Sequence, residues 1–179
     1  MAKLILLRHA KAVSNWQEAA DNHRPLTENG VNAAIKLAGF MRRHDYFPTM
    51  VMVSPAQRTI ATFSHLLINM AATLPENRVW CPHIEVKSDL YSSDEIALLQ
   101  MIRAQSTEFL MVVGHNPTMH GMAIQLCANP NEPPARAMSQ HFPPGSMAVF
   151  DLDGPLSRLQ LYGARLEQFI TPAMLDEQI

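Results

Sequence analysis

The chain has 179 residues, 14 Lys and Arg against 16 Asp and Glu, a formal charge of −2 and two cysteines. That length predicts one domain over 1–179, able to bury roughly 70% of its unfolded surface without staples. Interspersed charges exclude a global basic field for nucleic acid or a polybasic membrane patch, and Cys81 and Cys127 lack disulfide-framework or zinc-ligand spacing.

In chain order, "LILL" (4–7) reads as a strand covered on both faces, ending on Arg8 and His9. The apolar run in "MAKLILLRH" is too short for a signal peptide or a membrane span, so a cytoplasmic protein is expected. Thr27 in "RPLTENG" can cap a helix carrying Val31, Ala34, Ile35, Ala38 and Met41 at helical spacing, with Arg42, Arg43 and His44 at its C-terminal end. "MVMVS" (50–54) predicts a second buried strand, after which Ser54 is a candidate N-cap and Pro55 a first helical residue. Ile60, Phe63, Leu67 and Met70 mark the buried stripe of that helix.

"HIEVK" (83–87) is a weaker third strand, and Ser92 and Glu95 have capping-box spacing before a helix with Ile96, Leu99 and Ile102. "EFLMVVG" (108–114) is a further strand that turns at "HNP" into a helix from Thr118 to Cys127. The segment 129–145 contains five prolines and predicts a long irregular loop. "SMAVFDLDGPLSRLQLYG" (146–163) reads as two strands joined at Asp153-Gly154. Strands alternating with helices predict an α/β three-layer sandwich, a mostly parallel central sheet with helices on both faces.

The unusual polar residues fall at strand ends. Arg8 and His9 follow the first strand, Ser54 to Arg58 the second, and His115 and Asn116 the strand ending at Gly114. Ligands bind where parallel strands end, so two histidines and two arginines are expected to converge there. Two guanidiniums are permanently charged forks matched to phosphoryl oxygens, and Arg58 adds to the positive end of its helix. Neighbouring cations push an imidazole pKa down, keeping His9 neutral and able to attack phosphorus at pH 7. His115 could donate to the phosphoryl oxygens as charge shifts onto them.

The "RHA", "SPAQRT" and "GHNP" elements resemble the histidine phosphatase superfamily, and "RHAKA", "RPLTENG" and "VGHNP" are most similar to its SixA-type phosphohistidine phosphatases. The resemblance runs through nearly the whole chain in order. It implies a phosphoglycerate-mutase-like fold, a nucleophilic His9 that forms a phosphohistidine intermediate, and a phosphate pocket completed by Arg8, Arg58 and His115, with no cofactor. Asn15 stands where mutase-like relatives carry a phosphate-contacting asparagine. Many superfamily phosphomonoesterases place a glutamate acid after the third strand, where this chain reads "LYSSDEIALL"; Asp94 and Glu95 are the candidate proton donors, with a helix-cap reading equally open.

Imidazole is a far less basic leaving group than an alkoxide, so weak acid assistance favours phosphohistidine over alkyl phosphates. The expected partner is a phosphohistidine-bearing signalling or phosphotransfer protein. The alternatives are a broad phosphomonoesterase acting on small phosphorylated substrates and a non-catalytic phospho-ligand binding module. No metal is expected: His115 and His120 are five residues apart, and neither "HExxH" nor a carboxylate cluster accompanies them.

Overall fold

The computed structural model describes residues 1–14, 20–72, 74–75 and 79–177. Six strands form one sheet: β1 (Ala2–Arg8), β2 (Met50–Val53), β3 (His83–Val86), β4 (Phe109–Gly114), β5 (Met147–Leu152) and β6 (Arg165–Ile170). Their order is β3-β2-β4-β1-β5-β6. The first four are mutually parallel, β5 runs antiparallel to β1, and β6 antiparallel to β5. The mostly parallel sandwich expected from the alternating elements is the observed architecture.

Side chains alternate across each strand, so one short run feeds two cores. Leu4, Leu6, Met52, Leu110 and Val112 pack on the face covered by α3 (Glu95–Arg103), α4 (Thr118–Leu126) and α5 (Pro133–Gln140). Ile5, Leu7, Val51, Val53, Met111 and Val113 pack on the other, against α1 (Glu28–Arg43), α2 (Gln57–Ala72) and α6 (Pro172–Asp176). This double coverage explains why β1, β2 and β4 are almost continuously apolar.

Helix ends follow local chemistry in some places and depart from it in others. Thr27 caps α1, its hydroxyl accepting from Gly30 N at 3.1 Å. Ile35, at 38% exposure, lies outside the buried stripe, which runs through Leu37 and Phe40 instead. The cap of α3 is Asp94, accepting from Ala97 N at 2.8 Å, rather than Ser92, and Ile96 is 70% exposed. Ser54 does not cap α2, which begins only at Gln57; its hydroxyl is engaged by a histidine.

Two irregular readings are corrected. Within 129–145 lies α5, with Pro133 and Pro134 in its first turn. There a missing N–H costs nothing, because first-turn amides have no intrahelical acceptor. The Asp153-Gly154 hairpin is absent: a 3₁₀ turn at Leu156–Arg158 intervenes and the second strand is Arg165–Ile170. No helix among the described residues is long and apolar enough to cross a membrane.

Candidate active site

Three strand ends come level across the sheet. Arg8 pairs with Gly114, His9 N donates to Gly114 O at 3.0 Å, and Ser54 N donates to Val113 O at 3.0 Å. His9 and His115 therefore leave β1 and β4 side by side, their ring centroids 5.2 Å apart. Beyond His9, Ala10 N donates to the Thr62 hydroxyl at 3.0 Å, and that hydroxyl donates to Arg58 O at 2.6 Å. One threonine thus ties the chain after His9 to the helical turn that carries Arg58.

Two glycines permit close approaches. Gly145 adopts φ +85°, a conformation that favours glycine, and donates its N–H to His9 O at 2.9 Å. A Cβ on Gly30 would stand 2.2 Å from Lys11 O, so only glycine lets α1 start against the segment after His9. Thr27 N donates to the same carbonyl at 2.9 Å. The "RPLTENG" element is a brace for the "RHAKA" loop.

His9 is 8% exposed. Its Nδ1 lies 2.8 Å from Ala10 O, which can only accept, so Nδ1 carries the proton and Nε2 keeps its lone pair. Burial, followed by the charges of His115, Arg58 and Arg8, pushes its pKa down to about 3 despite the opposing Ala10 hydrogen bond. His115 is lowered to about 4, again chiefly by burial and then by Arg58. Both rings are neutral at pH 7. The Nε2 of His115 lies 2.7 Å from the Ser54 hydroxyl.

Arg58, 5% exposed, donates from Nη1 to Asp21 O at 2.7 Å and from Nη2 to Asp21 Oδ2 at 3.0 Å. The same carboxylate oxygen accepts the Tyr91 hydroxyl at 2.7 Å, while Oδ1 lies 2.8 Å from Arg24 Nε. Those partners, Tyr91 first, hold the Asp21 carboxyl below the usual carboxylate range. Arg8 donates from Nη1 to Phe142 O at 2.7 Å, an acceptor shared with Asn116 Nδ2 at 3.1 Å. Arg8 Nε, Arg58 Nε and His115 Nδ1 are buried without a hydrogen-bond partner among the described residues.

Four of the sequence-predicted residues, Arg8, His9, Arg58 and His115, come together at one sheet edge. Asn15 lies outside the described residues. Asp94 and Glu95 border a cleft of about 310 Å³ that His115 also lines, and the Asp94 carboxylate serves as the α3 cap. Among the described residues no group of three His, Cys, Asp or Glu is arranged to hold a metal. Sequence reasoning missed Asp21 and Tyr91, whose segments carry no periodic or motif signal. It also misassigned the hydroxyl of Ser54, although a serine ending a buried strand beside "GHNP" was a usable cue.

No family model matches the chain. An uncharacterised protein of Mycobacterium leprae is 28% identical over 174 residues, covering 93% of this chain and 99% of the relative. A solved structure of a candidate phosphohistidine phosphatase SixA from Nakamurella multipartitia superposes with TM-score 0.79 at 26% identity, covering 96% of each chain. One from Agrobacterium tumefaciens gives 0.76 at 26%, covering 96% of this chain and 98% of the other. The fold is that of histidine phosphatase superfamily structures, and the chain is similar to members of that superfamily. Within that superfamily it is similar to the SixA-type proteins.

Proposed function

We propose that the chain is a phosphatase in which His9 carries the phosphoryl group transiently, acting on phosphohistidine in a signalling or phosphotransfer protein. One observation carries the reading. Three buried donors without partners among the described residues, on Arg8, Arg58 and His115, share a sheet edge with an imidazole whose Nε2 keeps its lone pair. Buried polar atoms are rarely left unpaired, and phosphoryl oxygens are acceptors that match this set. The likeness to SixA-type structures supports the same substrate class.

In the first step the Nε2 lone pair of His9 forms a bond to phosphorus. The bond from phosphorus to the substrate's ring nitrogen breaks, its electron pair stays on that nitrogen, and the leaving ring takes up a proton. In the second step a water oxygen bonds to phosphorus and loses a proton. The P–Nε2 bond breaks, its pair returns to His9, and inorganic phosphate departs. His115 assists through Nδ1–H, which requires its Nε2 to accept from the Ser54 hydroxyl. The arginines supply positive charge that neither step alters.

Phosphohistidine fits because its leaving imidazole needs little acid assistance, and the Asp94 carboxylate is committed to capping α3. The test is a phosphohistidine-bearing peptide and, separately, an alkyl phosphomonoester, each in EDTA, with parent and His9→Ala. His9-dependent release from the peptide is expected. Release from the alkyl ester alone would favour a small-molecule phosphomonoesterase, with Glu95 in the cleft beside His115 as the proton source.

A further inference from the structure

We propose that Tyr91 and the cleft beside it form the subsite that receives the substrate's leaving ring, a flat heteroaromatic such as imidazole; the inference rests on the phosphohistidine reading above. Tyr91 ends the short 3₁₀ segment Ser88–Tyr91 that follows β3. It is 37% exposed, yet its ring is fixed from two sides. It stands edge-on to His115, centroids 5.5 Å apart at 78°, and its hydroxyl donates to Asp21 Oδ2 at 2.7 Å. The guanidinium carbon of Arg58 lies over one face of the ring, 5.9 Å from its centroid, which leaves the opposite face for a ligand. An aromatic side chain so held at the mouth of a polar pocket presents a ready-made stacking surface.

Displacement at phosphorus places the leaving atom opposite the attacking one. His9 is buried at the strand end, so the leaving nitrogen points outward, past His115 to the rim where Tyr91 stands. There the cleft of about 310 Å³ opens, bordered by Tyr91, Ser93, Glu95, His115, Asn116 and Thr118. Its two walls are tied together by the Thr118 hydroxyl, which donates to Ser93 O at 2.6 Å. A departing imidazole is planar, and it becomes more cation-like as it gains its proton. Tyr91, which lines the cleft, offers to both forms the face that Arg58 does not cover. A leaving group without a ring gains nothing from that face.

The experiment compares kcat/KM for phosphoimidazole and for phosphoramidate, which has a P–N bond and no ring, in the parent, Tyr91→Ala, Tyr91→Leu and Tyr91→Phe. The ratio of the two is expected to fall about tenfold in the alanine and leucine variants and to stay within about threefold in Tyr91→Phe, which keeps the ring and loses only the hydroxyl. Leucine guards against poor folding of the smaller variant. Equal losses on both substrates in Ala and Leu would overturn the subsite, leaving Tyr91 as a support for Asp21 and Arg58. A parent that cleaves phosphoramidate but neither phosphoimidazole nor a phosphohistidine peptide would overturn the phosphohistidine reading and the subsite together. Activity on phosphoimidazole with an unchanged ratio would remove the subsite alone.

Discussion

The floor and the rim of the site are built differently. On the floor, Arg8, His9 and Ser54 sit where buried strands end, and His9 and Ser54 are pinned by main-chain hydrogen bonds to β4. At the rim, Asp21 and Tyr91 come from short 3₁₀ segments and are held through side chains, while Asp94 caps a helix through the Ala97 amide. The floor inherits its geometry from the sheet, which suits it to the phosphoryl chemistry proposed for it. The rim is positioned by a few exchangeable contacts, which suits it to choosing the leaving group.

Breaking the floor should have the largest effects. His9→Ala is expected to lower kcat by at least about 10⁴-fold without unfolding the chain, read by phosphate release and thermal melting. Arg58→Ala should cost on the order of 10²–10³-fold in kcat/KM, and Arg58→Lys should restore little, because an ammonium cannot reproduce the fork.

Acid is a further way to attack the floor. With folded pKa values of about 3 for His9 and about 4 for His115, both below the ordinary 6.5, the unfolded chain binds more protons between those limits. Stability is therefore complete above pH 6.5 and is lost as pH falls towards 3. The loss from His9 is on the order of 3 kcal/mol at pH 4, checked by denaturant midpoints of parent and His9→Gln. Over pH 5–7, by contrast, kcat/KM should show no loss from protonation of the nucleophile.

Smaller effects sharpen the division. Ser54→Ala should reduce kcat about tenfold by freeing the tautomer of His115, with Ser54→Thr recovering part of the loss. At the rim, Asp94→Ala should cost about 1 kcal/mol of stability through the lost α3 cap, measured by denaturant unfolding.

The same division explains what could be read from the sequence. β1, β2 and β4 were legible because burial on both faces leaves short apolar runs, and their polar ends located His9, Arg58 and His115. Strand order was not, since the pairing of β1 with β4 is a long-range choice that no local pattern records. Ser54 looked like a cap because its partner lies 61 positions away in the chain. The proline-rich segment concealed α5 because Pro133 and Pro134 occupy the one part of a helix that tolerates them. Asp21 and Tyr91 had no signal: their roles exist only once Arg58 lies between their segments.

The most direct measurement is a rapid quench of the parent with a phosphohistidine-bearing peptide, followed by alkaline peptide mapping that preserves acid-labile phosphoryl groups. The mechanism predicts one phosphoryl group on the fragment containing His9, appearing before inorganic phosphate and decaying as phosphate is released. Full turnover with no label on that fragment, or turnover that survives in His9→Ala, would contradict it.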